Sequence, residues 1–515
     1  MPHPFTRGAV CAALLTPLPV LAASDAEIAE LRSILNQMKA QYERRIADLE
    51  ARLQRAEESI ETPPQPPATA ESLPMSAPLV HQATPPSQGG GLGAMTSGNA
   101  FNPEISVILD GNYYQDGIDG RGATLMGEAF LPGRPIHLHE EDAAGDGGHV
   151  TTEDGFNLRS AEIAFSGTVD PYFDAHALLS VDGDGNLDLE EAYFQTRTLP
   201  YGLRIKGGKF LSDFGYINRQ HPHQWDFVDQ NLPYLNLIGD HGIQDTGLQL
   251  TWLPELPVYT LLGVEALQGN QEVFGTTLSE TEQAALNLGD TNDGPRLWTA
   301  FVKVAPDLGV NHALQLGVSY AHASQHQQVL SHSAEGGSPS ADDQAIADGD
   351  TSELTEQETG LAGNADLWGV DLVYKYDGDG AQGHRDFKLQ TEYLRSVRDL
   401  SVRSSVDPEQ LGSPWKATTD GLYAQAVYGF APKWNVGLRY DILGITNTLD
   451  SPAKEDFGSS DRWTVDVTWN LSEFSRLRAQ YATSNVLVLP GERERFGAFY
   501  LQFLMSLGAH GAHAF

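Results

Sequence analysis

The chain has one cysteine in 515 residues, 32 Lys+Arg against 69 Asp+Glu, and no long apolar run beyond its extreme N-terminus. Each shortage excludes something. A single thiol leaves no disulfide framework and no cysteine-based metal cluster. A net charge of −37 argues against nucleic acid, whose phosphates must be met by clustered Lys and Arg. A spanning helix needs about 18 consecutive apolar residues, so a polytopic helical membrane protein is excluded. The sequence also lacks G-x-S-x-G, H-E-x-x-H and a phosphate loop, and no enzyme is expected. A composition 40% apolar is nonetheless too rich for a disordered chain.

What is present falls into four parts. Arg7 precedes an apolar stretch from Gly8 to Leu21, and Val20-Leu21-Ala22 closes it with small residues, so residues 1–22 are expected to be a secretory signal peptide. Cys11 lies early in that run behind Val10, which does not fit a lipid attachment site. Over residues 24–60 the apolar positions Ile28, Leu31, Leu35, Met38 and Tyr42 step by three and four. After one extra four, Ile46, Leu49, Leu53, Ala56 and Ile60 repeat the pattern. This is a heptad seam with one stutter, a periplasmic coiled coil by expectation; the alternative is an amphipathic helix lying on a domain. Residues 61–100, with Thr62-Pro-Pro-Gln-Pro-Pro67 and Gly89-Gly-Gly91, read as a Pro/Gly-rich linker.

From residue 101 onward the period changes to two. Ile105-Val107-Leu109, Leu248-Leu250-Trp252, Trp368-Val370-Leu372-Tyr374 and Trp463-Val465-Val467-Trp469 alternate with polar neighbours, as strands with one apolar and one polar face do. About 16 such segments of roughly 10–12 residues fit tilted membrane-spanning strands. Short links at 169–172, 199–202, 254–257, 305–308, 431–433 and 471–474 alternate mostly with longer polar connections, near 115–155, 213–242, 269–295, 323–366, 396–418 and 446–461. That rhythm predicts an all-β fold, an antiparallel outer-membrane β-barrel over 101–515 with both termini in the periplasm. Aromatic residues at strand ends fit interfacial girdles, and Phe515 continues the register of Phe499 to Leu507. A β-propeller or paired sandwiches would show blade repeats, and none is found.

Three segments carry a resemblance. Gly155-Phe-Asn-Leu-Arg-Ser-Ala161 running on to Asp170, Glu191-Ala-Tyr-Phe194 followed by Gly207-Gly-Lys-Phe210 and Phe214-Gly215, and Asn231-Leu-Pro233 with Asp245-Thr-Gly-Leu-Gln249 resemble the phosphate-selective porin O/P family. The resemblance is best over residues 105–270. It implies a 16-stranded, homotrimeric outer-membrane porin among lipid and lipopolysaccharide, passing small ions or solutes, with residues 213–242 folding inward. A trimer would give the coiled coil a threefold axis to follow.

Phosphate itself does not follow. Residues 1–100 hold 7 Lys+Arg and 10 Asp+Glu, which leaves 25 and 59 for the rest, whereas an anion channel needs basic residues along its lumen. Alternation places Arg204, Lys206, Lys375, Lys388 and Arg439 on the polar faces, opposite Glu162, Glu190, Asp371, Glu392, Asp441 and Asp466. This mixture suits a small-solute pore of either preference. The loops also carry His137, His139, His221 and His223 beside carboxylates, chemistry that suits a weakly held divalent zinc, copper or nickel ion; incidental histidines in solvated acidic loops are the plainer reading. Asp182 to Glu191 has the carboxylate spacing of a calcium loop, but Tyr193 stands where its bidentate acid is needed, and the turn residues read as a hairpin. No resident cofactor is expected. The passive channel is therefore preferred, with a metal-binding receptor on a closed barrel as the alternative.

Overall fold

The computed structural model describes residues 104–132, 152–331 apart from short gaps, 358–405 and 407–508. The expected signal peptide, coiled coil and linker lie outside the described residues, as do His137, His139 and Phe515.

The strands are β1 (Glu104–Asp116), β2 (Gly155–Thr168), β3 (Phe173–Val181), β4 (Leu187–Thr196), β5 (Leu203–Leu211) and β6 (Gln244–Trp252). They continue with β7 (Tyr259–Leu267), β8 (Leu297–Ala305), β9 (His312–Ser331), β10 (Glu358–Tyr376), β11 (Phe387–Ser404) and β12 (Pro414–Ala431). The last are β13 (Trp434–Asp450), β14 (Lys454–Asp456), β15 (Ser460–Ser472), β16 (Ser475–Leu489) and β17 (Glu492–Gly508). β1 pairs antiparallel with both β2 and β17, which closes the sheet. β14 is a three-residue strand on the flank of β13, and β13 pairs directly with β15. Sixteen strands therefore make the closed antiparallel barrel. Closure removes every sheet edge, the condition for a sheet to sit in lipid. Among the described residues no helix is long and apolar enough to cross a membrane.

The wall is inverted relative to a soluble protein. On β15, Val465, Val467 and Trp469 are exposed while Thr464, Asp466 and Thr468 are buried. On β6, Leu248, Leu250 and Trp252 face out while Gln249 and Thr251 face in. Lipid accepts the apolar face, and the lumen takes the polar one. Stacked Trp434 and Trp469, 5.4 Å apart, and the Tyr440–Trp463 pair at 4.6 Å fit the aromatic belts of such a wall.

Strand length departs from the sequence expectation. β3 to β8 have 9 or 10 residues, but β9 to β13 have 17 to 20. Parts of the expected loops 323–366 and 396–418 are thus tall strand. Their residues are polar outside, yet Leu361, Leu400, Val402, Trp415 and Ala417 form a small core on the inner side, and pairing continues above the apolar belt.

Two connections turn into the barrel, one carrying the helix α1 (Gly122–Gly127) and one carrying α2 (Leu232–Leu237). A third carries α3 (Glu280–Ala285), and its Leu286 and Leu288 pack on Val329 and Ala362 of the tall strands, on the face opposite Leu361. α2 starts at Asn231, whose side chain accepts the Tyr234 N–H at 3.0 Å, with a proline in its first turn. α3 opens with a capping box between Ser279 and Glu282. The inner face of the wall becomes apolar where the segments carrying α1 and α2 rest. Leu367 is buried beside the exposed Trp368, and Leu394, Ala321 and Leu297 are buried likewise.

Candidate functional site

The inward segment of residues 212–243 leaves β5, crosses the barrel interior and returns to β6. Its Phe214, Ile217, Trp225, Leu232, Tyr234, Leu237 and Ile243 share one core with Leu267, Leu297, Leu367, Leu394 and Leu443 of the wall. Burying each large apolar side chain is worth about 1.5–3 kcal/mol, so apolar contact draws the segment in. Polar contacts then fix where it stops.

Glu392 on β11 accepts the backbone N–H groups of Tyr216 and Ile217 at 2.7 and 3.0 Å. The hydroxyls of Tyr234, at 2.8 Å, and Tyr423 also donate to it. Beside it, Lys303 pairs with Asp371 at 2.8 Å and donates to the Gly215 carbonyl at 2.5 Å. Gly215 has φ of +61°, and a Cβ there would strike the Tyr234 hydroxyl and Glu392, so only glycine passes this crossing without strain.

Farther along, Asp226 meets Lys388 at 2.7 Å and Gln425 at 2.8 Å. Asp229 meets Arg439 and Arg462, each at 2.7 Å, and Gln480 at 2.8 Å. Burial pushes the Asp229 carboxyl up, but the Arg462 and Arg439 guanidiniums outweigh it and hold it at about 2. Burial likewise opposes the charge on Asp226, and Lys388 holds its carboxyl below the usual range. Arg462 is fully buried and also reaches Asp441 and the Gln230 carbonyl.

The third anchor faces the other side. His221 lies between Glu190, 3.0 Å from Nδ1, and Glu191, 2.7 Å from Nε2. His223 lies 2.8 Å from Glu162. The structure thus places His221 and His223 buried inside the barrel, against strands β2 and β4, and not on an external loop. The residues alone read as part of a polar loop, whereas the family resemblance already implies that residues 213–242 fold inward. Among the described residues no three His, Cys, Asp or Glu side chains are arranged to hold a metal ion.

Of the residues expected along the lumen, Glu162, Glu190, Asp371, Lys388 and Arg439 are engaged by the inward segment or by each other. Arg204, Lys206 and Lys375 are half-buried on the inner face of the wall. Arg204 and Lys206 share the face of Thr251 and Gln249, and the Lys206 ammonium stands 5.2 and 5.1 Å from the Tyr193 and Phe210 ring centres. Sequence reasoning passed over Glu191 and Arg462. Arg462 was visible, since it shares the polar register of Thr464 and Asp466. Glu191 was not, because strict alternation turns it outward. A bulge pairs Leu178 with Glu191 and Leu179 with Leu189, which leaves Glu190 extra and brings both acids inward.

Comparisons with known proteins bear on this architecture. Residues 131–486 match the model of the family described as phosphate-selective porin O and P. An uncharacterized protein of Aquifex aeolicus (strain VF5) is 33% identical over 423 residues, covering 81% of this chain and 81% of that protein. Among solved structures, an anion-selective porin from Comamonas acidovorans aligns with a TM-score of 0.44 at 12% identity, over 79% of this chain and 99% of that one. The outer membrane channel DcaP of Acinetobacter baumannii aligns at 0.43 and 14% identity, over 79% and 96%. With its closed sixteen-stranded wall and matched core, the chain belongs to the phosphate-selective porin O and P family and is an outer-membrane porin.

Proposed function

We propose that the chain is a passive diffusion channel for small ions and solutes, narrowed by residues 212–243, with no catalytic role. The observation that carries this reading is the inward segment itself, tied across the interior to opposite walls by Glu392, Asp226, Asp229, His221 and His223. A segment so tethered restricts the passage without needing a ligand to set it.

The family's name is not carried over as a substrate. Lys303, Lys388, Arg439 and Arg462 already face Asp371, Asp226, Asp229 and Asp441, so these cations are largely neutralised before any phosphate arrives. The acid excess of the chain would concentrate cations near the mouth, an effect that fades as salt rises. The protomers assemble as a homotrimer, with residues 24–60 as a periplasmic coiled coil on its axis.

Single-channel current in a planar bilayer under a KCl gradient tests this. A steady current without ligand and a modest cation preference are expected, unchanged by added phosphate or zinc. An anion-selective current blocked by phosphate would overturn the mixed-lumen reading. Absence of current, or current only with zinc, would overturn the channel in favour of a metal-binding receptor.

A further inference from the structure

The His221–Pro222–His223 corner is built in a way that a simple tether does not need. Pro222 opens a single 3-10 turn, closed by the Gln224 N–H donating to the His221 carbonyl at 2.8 Å. That turn sets the two imidazole rings parallel, 5.9 Å apart with 2° between their planes. Three carboxylates wait for them on the wall, Glu162 from β2 and the bulged pair Glu190 and Glu191 from β4. The bulge is what makes both nitrogens of His221 face an acid.

A neutral imidazole has one N–H and one lone pair. Whichever tautomer His221 took, one carboxylate would face a lone pair at 3.0 Å or less. Only the imidazolium donates to both. His322, by contrast, has its Nδ1 2.8 Å from Asp366, and a neutral tautomer satisfies that single contact.

Glu191 also accepts the Leu211 N–H at 3.2 Å, and the other charged groups nearby make their direct contacts elsewhere. Lys206 of β5 stands over Tyr193 and Phe210. His176 of β3 pairs its Nδ1 with the Ser166 hydroxyl at 2.8 Å. Ser160 donates to Glu162 from the same strand. On the far side, Arg476 of β16 donates to the His223 carbonyl, Arg478 donates to the Trp225 carbonyl, and Arg159 of β2 stacks on Trp225. Asp213 lies near Tyr193, and Asp226 is held by Lys388. With His221 neutral, the buried Glu191 and the half-buried Glu190 would be left with uncompensated charge, which a low-dielectric interior penalises heavily.

We propose that His221 forms a proton-operated latch for the inward segment. With its imidazole charged, the corner is held on Glu190 and Glu191. When it loses its proton, the corner leaves the wall and the constriction widens. This rests on the reading of the chain as a channel narrowed by residues 212–243.

Burial opposes the charged ring of His221, but its hydrogen bonds to Glu190 and Glu191 prevail and raise it well above the ordinary imidazole range. The stabilisation is therefore complete below the unfolded value of about 6.5 and is lost as pH rises through the raised one.

The test is single-channel conductance at fixed KCl from about pH 5 to pH 10, which begins in the ordinary imidazole range and extends upward for the raised His221. The wild type should pass from a lower to a higher level as pH rises. His221→Arg, which keeps the charge and both donors, should stay at the lower level throughout. His221→Gln should stay at the higher level. A conducting wild type with a flat profile, or one profile shared by all three proteins, overturns the latch while leaving the channel standing. A wild type that passes no current fails the channel reading instead. Unfolding temperature of the detergent-folded protein then decides the latch separately: it should fall with rising pH in the wild type and not in His221→Arg, and equal falls would overturn it.

Discussion

Asp229 shows how one side chain can hold a segment at the cost of depending on its partners. Its carboxylate bridges Arg439 and Arg462, and Arg462 has no exposed surface. Replacing Asp229 with Asn would leave two buried guanidiniums short of a counter-charge. Removing one partner of a buried pair costs about 3–5 kcal/mol, far more than an exposed pair is worth. Asp229→Asn should therefore lower the urea midpoint of the detergent-folded barrel clearly and raise single-channel noise as the segment loosens. The same residue gives an acid-side dependence. A carboxyl held at about 2 contributes about 2.5 kcal/mol above its unfolded value near 3.9. That contribution is lost as pH falls from 4 towards 2, and Asp229→Asn should flatten the acid limb of the urea midpoint plotted against pH. An acid limb identical in both proteins would remove Asp229 as its source.

At the scale of elements, alternation in the sequence located the strands because lipid and lumen impose opposite chemistries on successive residues. Leu248-Leu250-Trp252 and Val465-Val467-Trp469 could be assigned by reading alone. The same logic failed where a second rule intervened. Leu367 beside Trp368 breaks the pattern because the inward segment supplies an apolar surface inside the wall, and nothing local in the strand announces it. The carboxylates facing the histidine corner were half legible: Glu162 and Glu190 follow from alternation, whereas Glu191 depends on a bulge that is a property of pairing with β3. The bulge makes a sharp prediction. Deleting Glu190 should restore an uninterrupted β3–β4 ladder, keep Leu187 and Leu189 outward, and cost His221 only its Nδ1 partner. Deleting Thr464 from the regular β13–β15–β16 ladder should turn Val465, Val467 and Trp469 to the wrong face, since a one-residue slip inverts every side chain beyond it. The folded, fast-migrating band on unheated gels should survive the first deletion and vanish in the second; loss of both would show that the extra residue is needed for the barrel itself.

For the whole molecule, the wall is uneven in a way that bears on assembly. β3 to β8 have half the length of β9 to β13, so the barrel is low on one side and stands tall on the other. A trimer with a coiled coil on its axis would be held by two independent sets of contacts, one between walls and one between helices. If the heptad residues from Ile28 to Ile60 form the proposed coiled coil, their seam would be buried against neighbouring copies. Removing residues 24–60 should leave each barrel and its conductance intact, because the inward segment is anchored wholly within residues 104–508. The trimer should nevertheless separate into monomers at a lower temperature on gels, since association would lose one of its two sources of burial. Equal dissociation temperatures for the full and shortened chains would mean that the walls alone hold the trimer, and the helix would then have to face a different partner.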